Sequence, residues 1–151
     1  MEIERKFLIP NLPDDLESYA FQLIEQGYLC TDPVVRIRRQ DDDYILTYKG
    51  KGLMVSEEYN LPLNEESFTH LKEKIDGLLI QKRRYLIPLA EKYTIELDVF
   101  EGELAPLVLA EVEFETEEEA NTFVPPEWFG EDVTFSTKYH NSTLSQRTFS
   151  S

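Results

Sequence analysis

Charged residues recur at every second position in several short segments of the sequence. The pairs are Glu2 and Glu4, Arg36 and Arg38, Lys82 and Arg84, Glu96 and Asp98, and Glu111 and Glu113. Because side chains alternate between the two faces of a β-strand, each pair lies on one face of its strand. Like charges placed side by side repel one another, so the pairs indicate a surface that binds a ligand carrying both signs. A polyphosphate with a bound metal ion is such a ligand.

These residue types suit metal-assisted phosphoryl transfer. Carboxylate oxygens are the hard ligands that Mg²⁺ or Mn²⁺ prefers, and such ions complete their shell with water and phosphate oxygens. Arginine binds phosphate through two parallel hydrogen bonds, and lysine supplies a point charge. Several cations and a metal ion together stabilise charge on the transferring and leaving groups, which is most of what this reaction requires.

The same spacing is also typical of a strand with one face in water, which is common in antiparallel sheets. The distribution of charge favours a site, because the candidate positions are balanced while the whole chain carries a net charge of −15. The basic candidates are Lys6, Arg36, Arg38, Lys49, Lys82, Arg84 and Lys138, and the acidic ones are Glu2, Glu4, Glu58, Glu96, Asp98, Glu111 and Glu113.

Length and composition predict a single domain over residues 1–151, with 41% hydrophobic residues to form a core. The chain has 30 acidic and 15 basic residues, and this excess of negative charge excludes a general nucleic-acid binder. The single cysteine, Cys30, forms no intramolecular disulfide and has no histidine or cysteine cluster for zinc, as expected in a reducing compartment. Without a signal-like N-terminus or a long apolar run, we expect a cytoplasmic protein that makes no membrane contact.

Strand patterns rich in β-branched and aromatic residues dominate the chain. They cover residues 3–9, 34–40, 44–49, 54–63, 79–88, 93–100 and 108–115. Turn residues separate several neighbours closely enough for hairpins, so the sequence predicts a mainly antiparallel meander.

Helical patterns interrupt the strands. The clearest covers residues 64–78, with Asn64 as N-cap and apolar residues at helical spacing. Residues 116–124 begin with a capping box, and weaker patterns suggest a short helix around 14–26 and another after Asn141. The two histidines, His70 and His140, are isolated in sequence, which favours a surface position for each. The common nucleotide-binding and serine-nucleophile motifs are absent from the sequence.

The ordered set of charged pairs resembles the CYTH domain of the triphosphate tunnel metalloenzymes. Its E-x-E-x-K signature stands at Glu2, Glu4 and Lys6, and the remaining pairs follow in chain order as far as about residue 144. Within the family, the chain is most similar to the short bacterial inorganic triphosphatases. That similarity rests on the stretches Gln26-Gly-Tyr28, Glu96-Leu-Asp-Val-Phe100, Glu111-Val-Glu-Phe114 and Trp128-Phe-Gly130.

This resemblance implies a β-rich α+β fold: an eight-stranded, closed antiparallel barrel with a charged interior and flanking amphipathic helices. It implies metal ligands at Glu2, Glu4, Glu111 and Glu113, with Glu58, Glu96 and Asp98 as further ligands or water-positioning groups, for Mg²⁺ or Mn²⁺. It also implies triphosphate contacts at Lys6, Arg36, Arg38, Lys49, Lys82, Arg84 and Lys138.

Tyr28 matches a tyrosine that forms a catalytic dyad with the signature lysine, here Lys6, in some members. The alternative for Tyr28 is a buried core tyrosine whose hydroxyl is hydrogen-bonded. In that case, a metal-bound water activated by a carboxylate would perform the hydrolysis without Tyr28. Asn60 departs from the family pattern, which often has a second acid two residues beyond Glu58, so binding of a second metal ion is left undecided.

The activity that the resemblance implies is hydrolysis of inorganic triphosphate to pyrophosphate and phosphate. Nucleoside or thiamine triphosphates are alternative substrates, and cyclisation of ATP is an alternative reaction on similar folds. A non-catalytic polyphosphate or nucleotide sensor is an alternative from another class. The expected partner is a small polyphosphate, and the sequence leaves the oligomeric state undecided, a homodimer included.

Overall fold

Antiparallel strands are the main secondary structure in a computed structural model that describes residues 2–146. Met1 and residues 147–151, which complete the predicted single domain, lie outside that range. The strands in the described range are β1 (Glu2–Leu8), β2 (Phe21–Thr31), β3 (Val34–Gln40), β4 (Asp43–Lys49), β5 (Val55–Ser56), β6 (Glu58–Leu63), β7 (Asp76–Leu89), β8 (Tyr93–Phe100) and β9 (Val108–Glu113). The α-helices there are α1 (Glu65–Lys72), α2 (Glu117–Thr122) and α3 (Asn141–Leu144).

The strands form one sheet that curls into a nearly closed barrel. Neighbours follow the order β5-β1-β9-β8-β7-β2-β3-β4-β6, and each paired set is antiparallel. Only Glu57 separates β5, at one end of this order, from β6 at the other. Counting β5 and β6 as one bent strand gives the eight strands that were expected. The barrel architecture is therefore confirmed.

The predicted strands all occur in the structure, with small shifts at their ends and with the 54–63 segment divided at Glu57. The predicted helix around residues 14–26 is wrong. Only a short 3₁₀ turn forms at Leu16–Ser18, and the chain then enters β2. β2 pairs with β7 along one edge and with β3 along the other. These long-range pairings override the weak local helical pattern.

A large group of apolar residues covers the outside of the barrel. One cluster joins Phe7 of β1, Leu97 of β8 and Val112 of β9 to Ala120 of α2 and to Phe129. Phe7 and Phe129 contact each other with ring centroids 4.9 Å apart. Because the apolar faces point outward and are buried there, the charged residues at alternate positions must point into the barrel.

The flanking helices are shorter than their patterns predict. In α1, Asn64 caps the N-terminus together with Ser67, as the sequence suggests, but the helix ends at Lys72 instead of reaching residue 78. Ile75 packs so closely on Gly27 that a Cβ there would lie 2.6 Å from its Cγ2 atom. The Thr116 cap of α2 is present, and α3 is one short turn. No helix within residues 2–146 is long and apolar enough to cross a membrane.

The C-terminal segment closes against the barrel beside β7. Gly77 has a φ of 73°, and a Cβ there would lie 2.2 Å from the carbonyl oxygen of Ser145. Leu78 donates its backbone N–H to that same carbonyl at 2.6 Å. Leu144 is buried in a second apolar cluster with Tyr28 and Phe100. These contacts hold the chain around residues 137–146 close to the barrel interior.

Candidate active site

The barrel contains a cavity of about 460 Å³, within the range of ordinary small-molecule sites. Its walls are mostly charged side chains from β1, β3, β4, β6, β7, β8 and β9, and β2 adds Tyr28 and Thr31. Twelve of the residues predicted from the sequence lie in these walls: Glu2, Glu4, Lys6, Tyr28, Arg36, Arg38, Lys49, Glu58, Arg84, Glu96, Glu111 and Glu113.

One wall of the cavity is acidic and is formed by β1 and β9. In the register of these strands Glu4 lies opposite Glu113, and Lys6 lies opposite Glu111. Burial raises the pKa of Glu4 well above its ordinary value, and the neighbouring charges of Glu111 and Glu2 raise it further. Like charges crowded in a buried wall favour binding of a cation.

Lys49 supplies a cation to this wall. Its Nζ atom lies 2.6 Å from Oε1 of Glu2 and 3.5 Å from Oε1 of Glu4. Burial lowers the pKa of Lys49, but Glu4 and Glu2 outweigh burial and raise it overall. The ammonium group therefore remains charged and neutralises part of the acidic wall.

The acidic wall has the donor chemistry of a magnesium or manganese site. Glu2, Glu4, Glu111 and Glu113 offer hard carboxylate oxygens, and these ions are held by few carboxylates together with water and phosphate. Among residues 2–146, no three acidic, histidine or cysteine side chains are already arranged around one point to hold a metal ion. The ammonium group of Lys49 contacts two of the four carboxylates. The residues fit such an ion by type.

The facing wall is basic, and Arg38 is its least paired member. Its Nε atom is buried without a hydrogen-bond partner, and its side chain makes no ion pair with any residue from 2 to 146. Burial lowers its pKa to about 10, and the adjacent charges of Arg36 and Arg84 contribute to the shift. An unpaired guanidinium group beside two other cations is well suited to receive an anion.

Arg36 and Tyr28 interact in the same wall. They lie directly opposite each other on β3 and β2. Burial lowers the pKa of Arg36, while the contact with Tyr28 and the charge of Glu58 raise it more. Lys6 has different partners, since its Nζ lies 3.5 Å from Oε1 of Glu111 and donates to the carbonyl oxygen of Tyr139 at 3.2 Å.

Two predicted site residues lie behind the wall rather than in it. Lys82 and Asp98 are each 1% exposed and are not part of the cavity lining. Lys82 donates to Asp98 at 2.7 Å, and Arg84, which does line the cavity, donates to Asp98 from two nitrogen atoms. Their direct contact with substrate or metal therefore stays a prediction, while the structure gives them a part in orienting Arg84.

The C-terminal segment lines the cavity with residues other than Lys138, whose contact with substrate stays a prediction. Lys138 is exposed, and its Nζ lies over the ring of Tyr139 at 5.3 Å from the centroid. His140 and Asn141 line the cavity instead. The expectation that His140 is a surface residue is wrong, because it is half-buried in the cavity wall. Its isolation in the sequence carries no signal of this position, which depends on long-range contacts with β1.

Asn60 also lines the cavity, beside Thr47 of the neighbouring strand. The Thr47 hydroxyl donates to Oδ1 of Asn60 at 2.6 Å. This bond fixes the amide at the position where the family pattern often has an acid. A neutral oxygen therefore stands there, two residues beyond Glu58.

The barrel is shared with solved structures. An inorganic triphosphatase of known structure superposes with a TM-score of 0.74 at 38% sequence identity, covering 98% of this chain and 96% of that one. A Hippeastrum protein studied as an adenylyl cyclase, with a dominant triphosphatase activity, superposes with a TM-score of 0.61 at 17% identity. It covers 80% of this chain and 83% of its own, and that likeness shows the fold alone.

Sequence relatives extend over nearly the whole chain. A protein of Nitrosomonas europaea named inorganic triphosphatase is 42% identical over 146 residues, covering 95% of each chain. A protein of Acetivibrio thermocellus with the same name is 37% identical over 151 residues, covering 95% of this chain and 92% of its own. The profile of the CYTH domain matches residues 1–149. This chain therefore belongs to the CYTH domain family.

Proposed function

We propose that the protein is a divalent-metal-dependent inorganic triphosphatase that hydrolyses triphosphate to pyrophosphate and phosphate inside its barrel. The observation that carries this proposal is a single cavity in which an acidic wall from β1 and β9 faces a basic wall from β3 and β7. The names of the two relatives from Nitrosomonas europaea and Acetivibrio thermocellus support the same activity.

The basic wall binds the substrate in this account. Arg36 and Arg38 project from β3 and Arg84 projects from β7, the two strands that flank β2, and Lys6 and Lys49 add ammonium groups beside the acidic wall. Guanidinium groups bind phosphate oxygens in pairs of parallel hydrogen bonds, and lysines add point charge. Arg38 is free to do so without breaking an ion pair with any other residue from 2 to 146.

The acidic wall holds the metal ion in this account, through Glu2, Glu4, Glu111 and Glu113. When bound, Mg²⁺ or Mn²⁺ supplies positive charge to the phosphate oxygens and to the leaving phosphate. Lys49 lies between Glu2 and Glu4, so it must give up part of this contact when the wall receives an ion and a substrate. Glu58 and Glu96 line the same cavity and are further candidates for orienting water.

Lys6 and Tyr28 are our candidates for the catalytic pair. Both are at most 7% exposed and both line the cavity. The contact of Tyr28 with Arg36 places its hydroxyl beside a fixed positive charge. In this account Tyr28 holds the attacking water by a hydrogen bond, and Lys6 steadies the phosphate that is attacked.

The lining favours bare triphosphate over nucleotides. Apart from the ring of Tyr28, which is 1% exposed, and the imidazole of His140, no aromatic ring from residues 2–146 lines the cavity. A nucleobase commonly stacks on an exposed aromatic side chain, and the walls offer charged groups instead. Nucleoside and thiamine triphosphates are therefore expected to be poorer substrates, and cyclisation of ATP is disfavoured for the same reason.

The acidic wall also favours an enzyme over a non-catalytic sensor. A protein that only binds anions gains nothing from four carboxylates that face the ligand, whereas metal-dependent hydrolysis requires them. Glu4→Gln is the most direct test, because Glu4 lines the cavity and lies opposite Glu113 in the acidic wall. Glu103→Gln is the matched control, since Glu103 is an exposed glutamate that does not line the cavity.

The experiment measures phosphate release from inorganic triphosphate, ATP and thiamine triphosphate, each with Mg²⁺, Mn²⁺ or EDTA. We expect rapid metal-dependent release from triphosphate, much slower release from the other two, and none with EDTA. Glu4→Gln is expected to lose turnover, and Glu103→Gln to keep it. Turnover of triphosphate by Glu4→Gln at the parent rate would contradict the proposed metal site, and binding of triphosphate without any turnover would identify a sensor.

We further propose a cytoplasmic location, with a small polyphosphate as partner rather than nucleic acid or a membrane. The single cysteine and the net charge of −15 support this proposal. The comparison of Mg²⁺ with Mn²⁺ in the same assay identifies the preferred ion.

A further inference from the structure

We propose that His140 is a substrate-binding residue whose imidazole donates a hydrogen bond to a phosphate oxygen in the cavity. The inference rests on the proposed function, and it adds a residue that lies outside the alternating charged pairs of the strands. It concerns the part of the cavity wall that comes from the C-terminal segment.

The position of His140 carries the proposal. The side chain lines the same cavity as Lys6, Lys49 and Glu111, and it is half-buried. It makes no hydrogen bond or ion pair with any residue between 2 and 146. A half-buried ring with an unused N–H group, set among groups that bind phosphate, is suited to contact the ligand.

The backbone around His140 is held from both sides. Its N–H donates to the carbonyl oxygen of Thr137 at 3.3 Å, and its carbonyl oxygen accepts from Leu144 at 2.9 Å. The preceding carbonyl, of Tyr139, accepts from Nζ of Lys6 at 3.2 Å. The signature lysine and the histidine are thus positioned together, so a ligand that reaches Lys6 lies close to His140.

β1 anchors the same segment further upstream. The backbone N–H of Lys6 donates to Oγ1 of Thr134 at 3.0 Å, and Val133 donates to the carbonyl oxygen of Lys6 at 2.8 Å. These bonds tie residues 133–140 to the strand that carries the acidic wall. The backbone of His140 is therefore held in place before any ligand binds, so binding does not have to order this segment.

The chemistry of a neutral imidazole suits this place. Burial lowers the pKa of His140, and the ammonium groups of Lys6 and Lys49 lower it further, while Glu111 opposes them. The ring is then neutral near pH 7 and offers one N–H donor and one acceptor. A neutral donor adds a hydrogen bond to phosphate without adding another charge to the crowded cations.

Kinetic comparison of three variants tests the proposal. We expect His140→Ala to raise the KM for inorganic triphosphate about 10-fold, the size of effect that loss of one hydrogen bond to a charged group produces. His140→Gln keeps an N–H donor and is expected to recover part of this loss. His70→Ala is the matched control, because His70 is the other histidine and lies exposed on α1. An unchanged KM in His140→Ala, with the parent active, would overturn the proposal.

A second measurement does not depend on turnover. The imidazole NMR signals of the parent protein are followed during titration with inorganic triphosphate. One titration is made without divalent ions, in EDTA, and one with Ca²⁺ as the divalent ion. Calorimetry under the same conditions measures binding. We expect the signals of His140 to shift saturably and those of His70 to stay constant. Saturable binding with unchanged His140 signals would overturn the proposal even if the protein is an active triphosphatase.

The two measurements separate the two claims. A shift of the His140 signals in a protein that does not hydrolyse triphosphate would support the contact and overturn the proposed hydrolysis. Absence of both binding and turnover would overturn both. The melting temperature of each variant is measured alongside, and we expect it to stay at the parent value, because the side chain of His140 has no partner among residues 2–146 to lose.

Discussion

The ammonium nitrogen of Lys82 lies 2.7 Å from Oδ2 of Asp98, and both side chains are almost completely buried. Arg84 donates to the same carboxylate from Nε at 2.8 Å and from Nη2 at 3.0 Å. Asp98 therefore accepts three charge-assisted hydrogen bonds, while Lys82 donates one of them and lies over the ring of Phe100. The carboxylate holds this group together behind the cavity wall.

Because Asp98 accepts three of these hydrogen bonds and Lys82 donates only one, we expect substitution of Asp98 to destabilise the fold more than substitution of Lys82. Asp98→Asn leaves two buried cations without a full counter-charge, and removal of one partner from a buried ion pair costs about 3–5 kcal/mol. Lys82→Met keeps the length of the side chain and leaves Arg84 on Asp98, so its cost is smaller. Urea unfolding of both variants measures the difference. A larger loss of stability in Lys82→Met than in Asp98→Asn would contradict the assigned network.

Arg38 behaves differently, because no residue from 2 to 146 pairs with it. We expect Arg38→Ala to keep or slightly raise the melting temperature, since it removes like charge next to Arg36 and Arg84. Its KM for triphosphate is expected to rise about 10-fold or more, since a hydrogen bond to a charged group contributes about 1.5–3 kcal/mol. Steady-state kinetics and thermal unfolding of one preparation test both expectations. A lower melting temperature with an unchanged KM would show that Arg38 is structural.

Gln26 is a buried amide without partners. It is 0% exposed, and neither Nε2 nor Oε1 has a hydrogen-bond partner in the described part of the chain. A buried polar group left unpaired costs about 1–3 kcal/mol, so Gln26→Met is expected to raise the free energy of unfolding by about that amount. Thr47→Val is the matched control: Thr47 is equally buried but bonded to Asn60, and its loss is expected to destabilise the protein. Lower stability of Gln26→Met would show that the amide is paired in solution.

Asp132 provides a test of pH dependence outside the cavity. It accepts hydrogen bonds from Arg5 at 2.6 Å and from the N–H and hydroxyl of Thr134 at 2.9 and 2.6 Å. Burial opposes ionisation, but these bonds outweigh it and lower the pKa of Asp132 below its ordinary value of 3.8. A depressed carboxyl pKa stabilises the fold above the unfolded value, and that stabilisation is lost as the pH falls through the folded value.

The corresponding measurement compares the parent with Asp132→Asn between pH 7 and pH 2. We expect the variant to be less stable at pH 7 and the difference to shrink steadily below about pH 4. Thermal unfolding followed by circular dichroism gives both curves. A difference in stability that stays constant down to pH 2 would show that the charge of Asp132 does not stabilise the fold.

The part of the structure that the sequence predicts well depends on local alternation. Glu2, Glu4 and Lys6 face the cavity because a strand places every second side chain on one side, and the apolar residues between them then face outward. Whether the charged face is inside or outside is not a local property. It is decided by closure of the sheet, when β5 pairs with β1 and β6 pairs with β4.

The parts that were missed depend on contacts between distant segments. β2 exists as an eleven-residue strand because it pairs with both β3 and β7, although its own first half has no clear alternation. His140 reaches the cavity because residues 133–139 are bonded to Lys6, more than a hundred positions away. Lys82 and Asp98 have the correct spacing for a site but lie deeper, where they pair with each other.

The central claim is that the facing acidic and basic walls perform metal-dependent hydrolysis of one phosphoanhydride bond in triphosphate. The most direct measurement is ³¹P NMR of inorganic triphosphate incubated with the purified protein and Mg²⁺, with a matched sample in EDTA. We predict that triphosphate disappears only with Mg²⁺ and that pyrophosphate and phosphate appear in equal amounts. Equal loss of triphosphate in EDTA, or no loss in either sample, would contradict the account.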